Sequence, residues 1–380
     1  MCRDDKTRPG DLDEADEVRF GSRRQPASWR SGWLLIACGA ALAAVAAGVV
    51  LGRGNRLPRA RPASPAGEVS SRQLSLRGNW ELFGYGSGWV VRIQFASGRI
   101  TRTAVPPVLS GGPVTFVVGP HQAIIRPLDF VPGYLVPDGH PARRLPGALG
   151  SGGTVIPGPQ PGTAWVQAGF QVTSMPLVRM DGAETGVSLR LPPGGPWLAI
   201  PDGRGYALVG GAGYGGLYDV RPGGFRRIAG MLAAVGPTRW LTVDCPAGRR
   251  CSNVVVDQAG GARHVLPGPA AEPEPGSPPG VIAPDGSAAA IAAISHDRVT
   301  LHLLNLVSGA DQQISASLDD ESAGYQTLAW SPDSRWLFFV AAHGELAAVN
   351  ARTRHAEGLG VELPPIGQIA VRNLAVDHSK

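Results

Sequence analysis

The segment Leu328-Ala-Trp-Ser-Pro-Asp-Ser-Arg-Trp-Leu-Phe-Phe-Val340, with GELAAVNARTRHAEGL behind it, carries the clearest fold signal in the chain. It joins one short apolar strand to another through a tight turn at Trp330, Ser331, Pro332 and Asp333. The turn residues act mechanically. Proline fixes φ, aspartate caps the turn with its side chain, and a small residue accepts the bend. Such turns make hairpins, not chemistry.

Weaker copies lie upstream. VIAPDGSAAAIAAIS, with Pro284 and Asp285, is followed by VTLHLLNLVSGADQQI; WLAIPDGRGYALVGG, with Pro201 and Asp202, is followed by GLYDVRPGGFRRIAG. More degenerate units begin at NWELFGYG, VTFVVGP and TAWVQAG, and RWLTVDC with SNVVVDQAGGARHVLPG makes one more. Aligning Phe83, Phe116, Trp165, Leu208, Leu241, Ile291 and Phe338 spaces the units about 42 residues apart, the period of a four-stranded propeller blade. The expectation is all-β: a β-propeller of about seven four-stranded blades over residues 74–376, with a short tail at 377–380. The 53 glycines and 35 prolines suit many tight turns and exclude a helical bundle, because they would interrupt almost every helix-length window.

Trp330 to Val340 resembles the repeat of TolB-like and WD-repeat-like bacterial β-propellers, whose blades carry a Trp-Ser-Pro-Asp-Gly-type turn before an apolar strand. Ser334 stands where that turn usually has glycine. Chains that join such a propeller to an anchor resemble membrane-anchored actinobacterial envelope proteins of unassigned role. The resemblance implies an interaction platform whose loops surround a central channel.

Trp33 to Gly52, WLLIACGAALAAVAAGVVLG, holds twenty residues without a charge. As a helix it would be about 30 Å long, matching a hydrocarbon core, so residues 33–52 are expected to cross the lipid bilayer as one transmembrane helix. The run is too long and too far from the start for a cleaved signal peptide, and an uncleaved signal anchor fits better. Residues 1–32 are polar and highly charged, as in a disordered cytoplasmic tail; residues 53–73, rich in Arg, Pro and Ala, read as a linker. Arginines flank the span equally on both sides, so positive charge does not orient it.

Cys245 and Cys251 do. They face each other across Pro246-Ala-Gly-Arg-Arg250, between two strand-like runs, where a disulfide could close the hairpin. Such bridges persist outside the cytoplasm, which puts the propeller on the extracytoplasmic side of a single-pass protein of the cell membrane. The net charge of +5 could suggest nucleic acid. All but Lys6 and Lys380 of the 35 basic residues are arginine, however, spread along the chain. That pattern fits a GC-rich genome better than a binding surface, and no nucleic acid is expected.

The chain lacks the Gly-x-Ser-x-Gly, His-Glu-x-x-His and Walker-type motifs. Its eight histidines are scattered singly, so no metal ligand, catalytic residue or cofactor-binding residue is assigned. Gly211-Ala-Gly-Tyr-Gly-Gly216 satisfies the dinucleotide fingerprint formally, but strand-like runs flank it and a glycine-rich hairpin is the better reading. Asp319, Asp320 and Glu321 read as a solvated turn rather than a calcium site. The expected function is therefore a binding or scaffold module for a protein or an envelope polymer on a propeller face. The alternative is a hydrolase or lyase on an envelope glycan or peptide, which would need charged residues from several blades to converge in the channel.

Overall fold

A computed structural model describes residues 67–69, 76–107, 114–128, 131–150, 153–211, 216–247, 249–270, 279–295, 298–318 and 326–374. The tail at 1–32, the span at 33–52, most of the linker and the last residues lie outside these, as do Asp319, Asp320 and Glu321. Among the described residues no helix is long and apolar enough to cross a membrane.

The described chain is all-β, with a β-propeller-like architecture. The first sheet contains β1 (Gly67–Val69), β2 (Trp80–Gly86), β3 (Trp89–Gln94) and β4 (Arg99–Ala104). The second contains β5 (Val114–Val118), β6 (Gln122–Pro127), β7 (Tyr134–Pro137) and β8 (Arg143–Arg144); the third β9 (Thr154–Pro157), β10 (Thr163–Gln167), β11 (Ser174–Arg179) and β12 (Glu184–Arg190). The fourth is β13 (Trp197–Pro201), β14 (Ala207–Gly211), β15 (Leu217–Arg221) and β16 (Gly224–Ile228). An eight-stranded sheet follows, made of β17 (Met231–Val235), β18 (Arg239–Asp244), β19 (Ser252–Asp257) and β20 (Arg263–Val265), then β21 (Gly280–Ile282), β22 (Ala288–Ser295), β23 (Arg298–Asn305) and β24 (Asp311–Leu318). The last sheet is β25 (Leu328–Trp330), β26 (Trp336–Val340), β27 (Leu346–Asn350) and β28 (Ala356–Gly358).

In every sheet but the first the strands of each run of four pair antiparallel in consecutive order, and in the first β2, β3 and β4 do so; the eight-stranded sheet is two such runs joined by a parallel pairing of β17 with β21. The final strand β29 (Gln368–Asn373) returns to the first sheet, pairing antiparallel with β2 from Trp80↔Asn373 to Tyr85↔Gln368. β1 adds a further strand on the outer edge of β4.

The second strands of these sheets are buried on both faces, which explains the unbroken apolar run at Trp336–Val340. Alternate residues of a strand point to opposite faces. Leu337 and Phe339 pack toward β21–β24, while Phe338 and Val340 pack against Trp80 and Phe95 of the first sheet. Apolar clusters fill every junction between successive runs of four strands, and one closes the last sheet onto the first. The first-position strands meet around a centre: β5 touches β9 and β29, β9 touches β13, and β21 touches β17 and β25, which touches β29.

One alignment of the repeats shifts. Phe83, Trp165, Leu208, Leu241, Ile291 and Phe338 all lie on the second strand of their run, but Phe116, which the spacing aligns with them, lies on the first strand, β5. Its true counterpart is in β6, at Ile124, which evens out the first intervals. Both strands are short and apolar, so composition does not distinguish them.

Candidate functional site

The three Pro-Asp turns are all first-to-second strand hairpins, at β13–β14, β21–β22 and β25–β26. Asp202 is fully buried; its Oδ1 accepts the Arg204 and Tyr206 N–H groups, each at 2.7 Å, and Arg221 pairs with its Oδ2 at 2.8 Å. Its carbonyl accepts the Trp240 indole N–H at 3.2 Å and the Gln258 amide at 2.7 Å, so this turn locks onto the next run of strands. Asp285 Oδ1 accepts the Ser287 N–H at 2.9 Å and its hydroxyl at 2.7 Å. At the third turn Ser331 donates its hydroxyl to Asp333 Oδ1 at 2.5 Å and accepts the Trp336 N–H at 3.0 Å. Pro284 and Pro332 occupy the positions before these aspartates, and Trp330 donates its indole N–H to the Val281 carbonyl at 3.0 Å.

Ser334 adopts φ +60°, the left-handed conformation that glycine takes at the equivalent Gly203 (+86°) and Gly286 (+74°). The hydroxyl justifies the substitution. Ser334 Oγ accepts the Asp285 N–H from the neighbouring turn at 3.0 Å, a bond glycine could not make.

Cys245 and Cys251 are joined, with Cα atoms 4.1 Å apart. They continue the β18–β19 register one step beyond Asp244↔Ser252, so the bridge closes the hairpin tip. At Gly211–Gly216, β14 and β15 pair antiparallel with Gly210 opposite Leu217, a hairpin without the helix that a dinucleotide fold requires. The segment from Ala270 to Gly280 joins β20 to β21, mostly outside the described residues. Among the described residues no three or more His, Cys, Asp or Glu side chains form a metal-holding group. His302 instead meets one carboxylate, Asp311, Nδ1 to Oδ2 at 3.0 Å, and its Nε2 meets Thr300 Oγ1 at 3.1 Å.

Two polar clusters match no motif in the sequence; the first joins residues far apart in the chain, and the second lies on the β15–β16 hairpin. In the first, fully buried Glu81 of β2 accepts Arg92 Nε and Nη2 at 3.0 and 2.6 Å and Gln94 Nε2 at 2.8 Å on one oxygen. Its other oxygen accepts Arg372 Nε of β29 at 2.8 Å, and also Arg372 Nη2. Arg372 reaches Asp138 of the second sheet at 2.6 Å and the Gly119 carbonyl at 3.0 Å, and lies 4.7 Å above the Phe83 ring. Burial pushes the Glu81 carboxyl up, but Arg92, Gln94 and Arg372 together hold it below the ordinary glutamate value. The second cluster is Asp219, paired with Arg221 at 2.8 Å and Arg226 at 3.1 Å; burial, reinforced by nearby Asp202, keeps its carboxyl above the usual range despite both arginines.

Glutamines close strand edges. β5, β9 and β13 each have a sheet partner on one side only. Gln167 donates to the Trp197 carbonyl at 2.5 Å and accepts the Ala199 N–H at 3.0 Å, so its amide stands in for a neighbouring strand along β13. Gln326 accepts the Phe116 N–H at 2.9 Å and Gln368 donates to the Val114 carbonyl, doing the same for β5. An amide matches a peptide unit in donor and acceptor, which suits it to this position.

Where the first-position strands meet there is a cavity of about 360 Å³, bounded by β13, β17, β21, β25 and β29. Ile200, Val235, Ile282, Leu328 and Ile369 give it an apolar wall, Gln326 and Thr327 supply polar side chains, and no ionisable side chain among the described residues lines it. A smaller cavity of about 40 Å³ adjoins it, bounded by β5, β9 and β13 and sharing Ile200, Pro201 and Gln326. Such a space can enclose a small apolar body, and its volume falls among small-molecule sites of roughly 300–1,000 Å³.

No family model matches the chain, and no curated protein matches it. It is similar in structure to a candidate 6-phosphogluconolactonase from Bacteroides fragilis, with a TM-score of 0.50 and 10% identity over 77% of this chain and 97% of that one. A second candidate 6-phosphogluconolactonase, from Bacteroides uniformis, gives a TM-score of 0.50 and 10% identity over 77% of this chain and 100% of that one. A TolB-type protein from Agrobacterium tumefaciens is more distant, with a TM-score of 0.39 and 10% identity over 58% of this chain and 88% of that one. At these identities the likeness is one of fold, β-propeller-like, and leaves the chemistry to the chain's own residues.

Proposed function

We propose that the protein is a binding module: a seven-bladed β-propeller that holds its ligand, a protein segment or envelope component, at the central channel. The observation that carries this reading is the cavity of about 360 Å³, mainly apolar and without an ionisable lining side chain among the described residues. Burying apolar surface favours binding by about 25 cal/mol per Å², and the edge-capping glutamines keep a rigid wall around the space. The turn motif at Trp330–Asp333 supports a TolB-like propeller, and its combination with the apolar run at 33–52 is the ground for the finer assignment to membrane-anchored actinobacterial envelope propellers.

The same proposal puts residues 33–52 in the lipid bilayer, residues 1–32 in the cytoplasm and the propeller outside it. The bridge between Cys245 and Cys251 supports that address, since disulfides persist in oxidising compartments. In intact cells, an impermeant maleimide should label these cysteines only after an impermeant reductant. Labelling that needs lysis and no reductant would invert the topology.

Binding is tested on the full chain in lipid nanodiscs with a diazirine-bearing octanol, mapping the photolabel by mass spectrometry. Label is expected on the lining segments 326–330 and 369–371 and should be lost in Ala329→Phe, which fills the cavity. Labelling confined to the outer strands, unaffected by that substitution, would refute a channel site.

A further inference from the structure

Arg126 in β6 is 1% exposed, and its Nε, Nη1 and Nη2 atoms have no hydrogen-bond partner among the described residues. Burial lowers its guanidinium to about 10, which still leaves it charged at neutral pH. An uncompensated buried cation is costly, and arginine is suited to taking a carboxylate in a two-pronged grip.

The strand register shows where this charge sits. Ala123 and Ile125 face the first sheet, whereas Ile124 faces the third, so alternation turns Arg126 to the third-sheet side. Its cross-strand partner there is Thr115, and Leu128 follows two residues on. Thr115 and Leu128 both line the cavity of about 40 Å³, with Thr154 and Val155 of β9 opposite. That small space opens beside the larger apolar one, the two sharing Ile200, Pro201 and Gln326. Arg126 itself lines neither cavity; it is a buried cation without a partner among the described residues, one cross-strand step from Thr115 of the smaller cavity, and no ionisable side chain among the described residues lines either.

We infer that the channel ligand is an anionic amphiphile: a short apolar body in the larger cavity and a carboxylate at its end, paired with Arg126. This rests on the channel being the ligand site. The arrangement divides recognition in two, with apolar burial holding the body and one desolvated ion pair selecting the head. A neutral analogue keeps the first contribution and loses the second. A ligand of opposite polarity, with a cationic head, would meet Arg126 as a like charge and be rejected.

The test uses octanoate and octan-1-ol as competitors of the diazirine-bearing octanol, on the full chain in nanodiscs. Octanoate should displace the channel label at a concentration about tenfold lower than octan-1-ol, or less, a difference ordinary for a charge-assisted pair out of water. In Arg126→Met, which keeps the bulk and removes the charge, the two competitors should converge to within about twofold. Arg126→Lys, which keeps the charge but not the fork, should retain part of the preference and guards against misreading a poorly folded Met variant. Equal competition in the unaltered protein, or a preference that survives in Arg126→Met, overturns the anionic head while leaving a channel site intact. Absence of channel labelling by the probe itself overturns the channel reading and this inference with it.

Discussion

Replacing Glu81 by glutamine removes the charge that ties the last strand to the first sheet. Glu81 accepts two donor atoms from Arg92 and one from Gln94 on Oε1, and two from Arg372 on Oε2. Losing one partner of a buried ion pair costs about 3–5 kcal/mol, because the remaining charge stays desolvated. Glutamine keeps one acceptor oxygen, and Asp138 still pairs with Arg372 at 2.6 Å and with Arg92 at 3.2 Å, so the lower end applies, about 3 kcal/mol. For a domain of this size that corresponds to a fall in Tm of about 6 °C. Calorimetry of the full chain at pH 7 measures it. The pH dependence checks the cause. The folded-state carboxyl lies below its unfolded value, so its contribution is complete above about pH 4.3 and disappears as the pH falls through the folded value. The Tm gap between wild type and Glu81→Gln should therefore narrow in acid. A gap below about 1 °C at pH 7, or one that widens on acidification, would refute an electrostatic latch.

Gln167→Ala leaves the Trp197 carbonyl and the Ala199 N–H without their partner and should cost about 2 kcal/mol or more in denaturant unfolding; a midpoint equal to wild type would mean that water replaces the amide. Ser334→Gly relieves the left-handed backbone but loses the bond from Asp285, and should be nearly neutral. Ser334→Ala keeps the strain without the bond and should be less stable by about 1 kcal/mol, so equal midpoints would show that the hydroxyl does nothing. Reduction of the Cys245–Cys251 bridge should cost about 2 kcal/mol for so short a loop, read as a fall in Tm that the Cys245→Ser/Cys251→Ser double variant reproduces without reductant. Arg126→Met should raise the Tm of the ligand-free chain, since it removes a buried charge with no partner; a fall would point to a pairing the geometry does not contain.

What can be read from the sequence depends on the range of each interaction. The hairpins at Pro201-Asp202, Pro284-Asp285 and Trp330–Asp333 are legible there, because a turn is decided by four consecutive residues and their φ preferences. So is the Cys245–Cys251 bridge, whose partners share one hairpin. Phe116 is misplaced by one strand because an apolar strand looks the same in the first and second positions of a run. The closing strand is harder to read, since Gln368–Asn373 has no turn of its own and pairs with β2 almost a whole chain away. Composition likewise gives no sign of Glu81, Arg372 and Asp138 meeting, or of Gln167 capping β13, because Arg372 is almost a whole chain from Glu81 and the Asp138 and Gln167 contacts join different sheets.

The residues hidden from the sequence share a consequence for function. Arranging strands radially leaves an open edge of the first strand in each run facing the centre, and open edges invite further strands. Here β5 and β13 are closed by Gln326, Gln368 and Gln167, and β13 ends in Pro201, which has no N–H to offer. A peptide adding to those edges as a strand would first have to displace the glutamine amides. What the centre then presents is the side-chain surface of Ile200, Val235, Ile282, Leu328 and Ile369, while Arg126 lies buried next to Thr115 of the smaller cavity. On the proposed channel site, closing the backbone edges would leave apolar shape and one ion pair, rather than main-chain hydrogen bonding, as the basis of selection. That combination favours a small amphiphile over an extended peptide and makes octanoate, rather than a peptide library, the probe with which to begin.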